Sequence, residues 1–310
     1  MPCRVPVLLR AVGLIVFASC ALNVDAQAPR AAAPKADTSL VVSTDWLAAH
    51  ADDPSVVVLH IDRSDSAYRA GHIPGARHVA YAALSVDLSG IRVELPLPDS
   101  LRALFEGVGV SNPSHVVLTG PPLMVTRAFF TLDYLGHQHV SGLDGGFTKW
   151  KAEGRSVQQN APEVTRGHIT PQPRPVVVAQ AEWLLGRLGK PGTSLVDTRT
   201  EGEYLGTRER PGLPSNGHLD GARRLEWQEM FRDPNEFSPK GLDDLAALWR
   251  ERVTPGDTVV TYCTVGYRGS GSYFVSRLLG YPVKLYDGSY EEWSKKNLPL
   301  VKAVTPLRTP

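Results

Sequence analysis

The stretch that decides the fold is Thr258-Val259-Val260-Thr261-Tyr262, then Cys263-Thr264-Val265-Gly266-Tyr267-Arg268, then Gly269-Ser270-Gly271-Ser272-Tyr273-Phe274-Val275-Ser276-Arg277-Leu278-Leu279. Four β-branched residues and a tyrosine in a row have the composition of a buried strand. Ser272 to Leu279 carries apolar residues at helical spacing. A strand therefore runs into a helix through a short loop, with a thiol at its start and a guanidinium at its end. The other two cysteines, Cys3 and Cys20, fall in the N-terminal segment. A lone thiol cannot staple the fold with an internal disulfide, so its placement points to chemistry.

Residues 1–26 read as an export signal. Arg4 and Arg10 form a positive n-region, Ala11 to Leu22 is an apolar h-region, and Val24-Asp25-Ala26 offers small residues before a cut. The apolar run falls short of the ~20 residues a membrane-spanning helix needs. After signal removal no transmembrane segment is expected. The expected location is outside the cytoplasm, in the periplasm. A second reading takes Phe17-Ala18-Ser19-Cys20 as a lipoprotein signal that would leave the chain anchored through Cys20, although Phe17 is atypical there. The formal charge is +1, and residues 1–26 account for it, so the remainder is near neutral. No basic stripe suited to nucleic acid and no zinc-type cysteine pairs stand out, so no nucleic-acid partner, metal or cofactor is expected.

A chain of about 280 residues after cleavage suggests two domains of roughly 150 residues. An internal repeat makes that specific. The first copy runs from Trp46-Leu47 through Val56 to Ile61 and Asp62-Arg63 to Gly71-His72-Ile73-Pro74-Gly75-Ala76. The second runs from Trp183-Leu184 through Leu195-Val196-Asp197-Thr198-Arg199 to Gly217-His218-Leu219-Asp220-Gly221-Ala222. Ala128 to His137 matches Ser272 to Tyr281 at an offset of 144, and Asp144-Gly145-Gly146-Phe147 with Trp150 matches Asp287-Gly288-Ser289-Tyr290 with Trp293. The boundaries read as a signal at 1–26, a disordered lead-in at 27–39, a first domain at 40–156, a Pro-rich linker at 157–175, a second domain at 176–301 and a tail at 302–310. Prolines 162, 171, 173 and 175 favour extended, semi-rigid chain in the linker. Short apolar strands alternate with helical patterns in each copy, which argues for an α/β fold with a mostly parallel sheet flanked by helices. Ligands of such sheets bind beyond the carboxyl ends of the strands, where Cys263 is expected.

Two copies of this unit, with the Gly-His-Ile-Pro-Gly-Ala turn in the first and Cys-x-x-Gly-x-Arg in the second alone, resemble the tandem rhodanese sulfurtransferases over about residues 40–300. The resemblance implies two rhodanese-like domains, the first inactive and the second catalytic. Counterpart to Cys263 at the same offset is Thr119, followed by Gly120-Pro121-Pro122. Threonine cannot form a persulfide, and the prolines remove backbone N–H donors. The family chemistry implies that Cys263 is the catalytic nucleophile, taking sulfane sulfur from a small-molecule donor and passing it to an acceptor in two displacements.

A free cysteine with a pKa of ~8.5 is mostly protonated near neutrality, so the loop is expected to favour the anion. Successive N–H groups from Thr264 onward can curl into an anion-binding nest, and Gly266 lets the loop turn tightly. Arg268 adds a positive charge, which within ~4–6 Å shifts a pKa by ~1–3 units. Thr264, Gly266, Arg268 and Arg199 are thus the expected substrate-binding residues. Cysteine phosphatases, including those on a rhodanese-like fold, place five residues between Cys and Arg. Here four intervene and Gly269 stands at the seventh position, so phosphatase chemistry is a poor reading.

Arg268 at the loop end looks more like the thiosulfate-handling members, since mercaptopyruvate-handling members follow the cysteine with Gly-Ser-Gly or Gly-Thr-Gly and then Val-Thr. Glu203 stands where many members carry a substrate-binding arginine, and some bacterial thiosulfate members have glutamate there. The expected activity is transfer from thiosulfate to a thiophilic acceptor such as cyanide. The alternatives are a 3-mercaptopyruvate sulfurtransferase, a persulfide carrier delivering to a protein partner, and a redox-sensing module. Arg199 has two readings, a second cation at the mouth or an ion-pair partner of Asp197 or Glu203. Arg208 and Arg210 read as surface loop charges, with a place at the mouth left open. His72 and His218 read as turn residues, and Trp150 and Trp293 as repeated core or domain-contact aromatics.

Overall fold

The computed structural model describes residue 1 and residues 34–302, and the export signal read from the sequence lies outside the described residues. Twelve strands are described: β1 (Val41–Val42), β2 (Val56–Asp62), β3 (Arg77–Ala80), β4 (Val86–Leu88), β5 (Ile91–Glu94), β6 (His115–Thr119), β7 (Val140–Leu143), β8 (Val178–Ala179), β9 (Thr193–Asp197), β10 (Arg223–Arg224), β11 (Thr258–Tyr262) and β12 (Val283–Tyr286). The first sheet has the order β1-β7-β6-β2-β3 and the second β8-β12-β11-β9-β10, all parallel. The two orders superpose copy on copy. Parallel neighbours require crossover connections, and helices supply them on the sheet faces. Both faces of each sheet are therefore covered, so β2 and β11 read as near-continuous apolar runs rather than alternating ones.

The copies meet through the helices Pro122–Leu135 and Tyr267–Leu278, which occupy equivalent places. Thr126 and Ser270, matched at the offset of 144, share a hydrogen bond of 3.1 Å. Phe129 meets Phe274 edge-on at 4.9 Å, and Phe130 meets Tyr273 likewise at 4.9 Å. Each pair crosses one residue with the counterpart of its neighbour, as a local two-fold axis requires. Such aromatic pairs add about 0.5–1.5 kcal/mol beyond the area they bury. One apolar core runs through this contact, from Leu59 and Phe130 to Phe274 and Leu285, and each copy keeps a smaller core on its outer face.

Residues 157–175 lie extended along the first copy. His72 and Gln158 exchange backbone bonds of 2.8 and 2.9 Å, and Arg174 N–H donates to Tyr134 O at 2.8 Å. The expected disordered lead-in is corrected over its described part. Thr38–Leu40 form a 3-10 turn, and Asp37 N–H donates at 2.8 Å to Leu278 O, one of the carbonyls that a helix leaves open at its C-terminus. Among the described residues no helix is long and apolar enough to cross a membrane.

The repeat does not anticipate the hairpin β4–β5. It projects from the first copy onto the second, where Arg92 N–H and Nε donate to Glu291 at 2.9 and 3.0 Å, and Leu95 N–H donates to Asp287 at 2.7 Å. Glu94, at its end, has a buried Oε1 without a partner. Burial, and then the Asp287 charge, push its carboxyl from 4.5 up to about 8. The folded form thus keeps a proton that the unfolded chain has lost, and this contribution to stability is present below 4.5 and lost as pH rises towards about 8. Melting temperature measured across that range should fall with rising pH, and Glu94→Gln, which stays neutral, should lose less. Parallel curves for the two proteins would contradict this.

Candidate active site

Cys263 follows β11, the middle strand of the second sheet, at its carboxyl end. The chain leaves β9 towards β10 on one side and β11 towards β12 on the other, so the loop sits at the point where the topology reverses, the usual ligand crevice. Gly266 has a φ of 90° and stands immediately before the helix Tyr267–Leu278. A Cβ there would come within 2.8 Å of Asp287 Oδ1 and 2.9 Å of Asp287 O, so the turn requires glycine. Its N–H donates to Cys263 Sγ at 3.1 Å. The loop backbone is in turn bound to the start of the helix Ser289–Lys295. Cys263 N–H donates to Ser289 Oγ at 3.2 Å, Tyr290 N–H to Cys263 O at 3.0 Å, and Glu291 N–H to Thr264 O at 2.9 Å. Ser289 holds a left-handed φ of 53°, a conformation that costs a non-glycine residue about 1–3 kcal/mol and persists where its surroundings enforce it.

The charges are arranged differently from the sequence reading. Arg268 is not a free cation. Both its terminal nitrogens donate to Glu203, at 2.8 and 2.9 Å, and Nη2 also reaches Thr264 Oγ1 at 2.6 Å. Glu203 further accepts from Thr264 Oγ1 at 3.0 Å, Thr200 Oγ1 at 2.9 Å and Arg210 Nε at 3.0 Å. Burial alone would raise the Glu203 carboxyl, but Arg268 outweighs it and holds the group far below the usual carboxylate range. Burial alone would lower the Arg268 guanidinium, and its bonds to Glu203 keep it above its ordinary value.

Arg199 is corrected from a substrate-binding cation to a structural one. It is 2% exposed, and its guanidinium forks onto Asp197 at 2.6 to 3.1 Å, donates to Gly217 O at 2.8 Å and lies 4.0 Å from the centre of the Tyr290 ring. Asp197 closes β9 two residues away, so the pair forms locally. Arg210 joins the site only through Glu203, and Arg208 stands exposed. His72 and His218 are structural: each bonds a tyrosine carbonyl and stacks on that ring, Tyr68 at 3.7 Å and Tyr204 at 3.8 Å. Trp150 and Trp293 are buried, each donating to the carbonyl of a residue six further on.

The equivalent place in the first copy is closed. Thr119 is fully buried with its Oγ1 unpartnered, and Pro121 and Pro122 start the following helix. Phe237, from the second copy, donates its N–H to Gly120 O at 2.9 Å and packs so tightly that a Cβ on Gly142 would meet its ring at 2.2 Å. Among the described residues no cluster of His, Cys, Asp or Glu is arranged to hold a metal ion.

Several contributors escaped the sequence reading. Ser289 lies in the repeated Asp-Gly-Ser-Tyr motif, which marked a turn but not a partner for the cysteine. Tyr81 of the first copy stacks on Tyr267 of the loop at 4.4 Å, and Ser85 bonds the Tyr267 hydroxyl at 3.1 Å. No local pattern links residues 182 or more positions apart.

A duplicated parallel α/β unit with one cysteine loop at a strand end defines a class of two-domain proteins with a single thiol site. The rhodanese-like domain model matches twice, over residues 43–153 and 180–296, and the chain belongs to the rhodanese family. It is 33% identical over 273 residues to the sulfur carrier protein TtuD of Thermus thermophilus, covering 83% of this chain and 94% of that one. It is 30% identical to the thiosulfate sulfurtransferase of Azotobacter vinelandii, covering 83% and 94%. The crystal structure of the 3-mercaptopyruvate sulfotransferase SseA of Escherichia coli superposes with a TM-score of 0.69 at 25% identity, covering 82% of this chain and 99% of that one.

Breaking a buried ion pair from one side costs about 3–5 kcal/mol, because the remaining charge is stranded. Arg268→Ala should therefore destabilise the chain by that order, and adding Glu203→Gln should recover much of the loss. Urea unfolding of the two single variants and the double variant measures the coupling. A coupling under about 0.5 kcal/mol would reduce the clasp to a solvated pair.

Proposed function

We propose that the chain is a sulfurtransferase that moves the outer sulfur of thiosulfate to a thiophilic acceptor through a persulfide on Cys263. The observation that carries this reading is the Gly266 N–H donated to Sγ at 3.1 Å in a loop at the carboxyl end of the middle strand. The Cys263 thiol loses its proton to solvent. The thiolate then attacks the sulfane sulfur, a new S–S bond forms, and the old one breaks with its electron pair leaving on sulfite. A nucleophile such as cyanide next attacks the outer sulfur, forms thiocyanate and returns the thiolate. Dividing one transfer into two displacements is covalent catalysis. Cys263 is 0% exposed, so entry of the donor requires the mouth of the loop to open.

Thiosulfate over mercaptopyruvate rests on the likeness of Arg268 and Glu203 to bacterial thiosulfate-handling members. Glu203 occupies the guanidinium fork of Arg268, which any anionic donor would have to share or displace. Arg199 is held by Asp197 and offers no replacement. The Thermus relative and the full burial of Cys263 favour a second reading, in which the persulfide is kept from water and delivered to a protein partner. Export of the chain, cut near Gln27, belongs to the same proposal. The intact mass of the secreted protein checks it, and a chain starting at a lipid-modified Cys20 would replace soluble export with anchoring.

Steady-state transfer from thiosulfate and from mercaptopyruvate to cyanide tests the activity. Cys263→Ser should abolish transfer, and Thr119→Ala should leave it within about twofold, since surface and silent positions away from the chemistry change little. Glu203→Gln, which frees the Arg268 fork, should tighten binding of either anionic donor about tenfold, a difference of about 1.4 kcal/mol. Appreciable turnover in Cys263→Ser would sink the assignment. A stable persulfide without turnover would favour the carrier.

A further inference from the structure

We propose that Arg127, in the silent copy, is a positioning residue that acts through Asp287 to keep the Gly266 N–H on the Cys263 sulfur. The inference rests on Cys263 as the sulfur nucleophile. Arg127 is 0% exposed on the helix Pro122–Leu135. Its Nη1 donates to Asp287 Oδ1 at 2.5 Å, its Nη2 to Val93 O at 3.0 Å and its Nε to Leu84 O at 3.2 Å. The guanidinium also lies 5.9 Å from the centre of the Tyr267 ring.

The path to the sulfur is short. The Asp287 carboxylate is held from the first copy alone among the described residues, by Arg127 and by Leu95 N–H. That carboxylate and its own carbonyl form the surface against which Gly266 packs without room for a Cβ. Gly266 carries the N–H that reaches Sγ. Val93, whose carbonyl accepts from Arg127 Nη2, holds a left-handed φ of 66°, a genuine outlier for a β-branched residue. Strain of this kind persists where surrounding contacts over-determine it, and it gathers at functional sites.

The silent half shows what a merely structural tie looks like. Asp144 matches Asp287, and it is bonded by Arg232 and by Ser238 from the second copy. Arg232 keeps a side chain 55% exposed. At the offset of 144, the counterpart of Arg127 is Gly271. Burying a charge carries a desolvation penalty of several kcal/mol. Of these two matched ties, the one beside the loop that holds a thiol buries its arginine, and the other leaves it exposed.

The test uses the full chain with Arg127→Met, Arg127→Lys and Asp287→Asn. Thiolate formation is followed by its ultraviolet absorbance against pH, as the difference from Cys263→Ser, together with thiosulfate kinetics and melting temperature. Arg268 with Glu203 and the Tyr81 phenol also lie near the thiol and are left in place. Around Arg127 the titratable neighbours are Asp287, Glu94, Tyr81 and Tyr267, of which only Asp287 is replaced. Arg127→Met should move thiolate formation up by about one pH unit and lower kcat about tenfold, with KM changed less than about threefold. Arg127→Lys should recover only part, because the charge returns without the planar fork. A folded variant with an unchanged thiolate profile and kcat, losing only melting temperature, overturns the proposal. If Arg127→Met does not fold, the nearly isosteric Asp287→Asn decides by the same readouts. Absence of transfer in the wild type would instead defeat the functional reading, and the thiolate profile would still decide the positioning role.

Discussion

A sulfur withdrawn from water needs a donor that cannot move away, and this constraint organises the second half of the molecule. Cys263 is fully buried, and the Gly266 N–H is the hydrogen-bond donor that meets it. That N–H is aimed by a left-handed glycine, the glycine by close packing on Asp287, and the cysteine backbone by Ser289, Tyr290 and Glu291. Each of these residues follows β12, which is paired with β11 in parallel register, Thr261 opposite Leu285. The sheet therefore sets the distance between the loop and its support. A backbone donor fixed by secondary structure costs no reorganisation when charge appears on sulfur.

Duplication explains both the shape and the division of labour. The two central helices pack about a local two-fold axis, with Thr126 and Ser270 meeting as counterparts. A chain built this way presents two equivalent strand ends to the interface. In one, a thiol meets the Gly266 N–H. In the other, threonine and two prolines leave neither nucleophile nor nest, and Phe237 fills the space. The first copy has a structural task, because its hairpin and its Tyr81 and Ser85 cover the cysteine loop of the second.

Much of this was legible in the sequence because it is local or repeated. The β-branched run before Cys263, the glycine before the helix and the offset of 144 led to the strand, the turn and the paired helices. What the sequence concealed depends on distance and depth. Arg268 reads as a free charge until Glu203, 65 positions earlier, is found forked upon it. Arg199 stood between two readings until burial and Asp197 settled it as an ion pair. The hairpin Val86–Glu94 has no counterpart in the repeat, so no internal comparison could reveal it. The lead-in is rich in alanine and proline, yet its last residues order because Leu278 leaves a helix carbonyl open.

In the proposed reaction Cys263 is the residue that carries sulfur. The most direct measurement is the intact mass of the purified chain after thiosulfate is added and excess donor removed, repeated after a thiophilic acceptor is supplied. A gain of one sulfur atom, located on Cys263, is expected, with loss of that atom to the acceptor. No gain in the wild type, or an equal gain in Cys263→Ser, would contradict it.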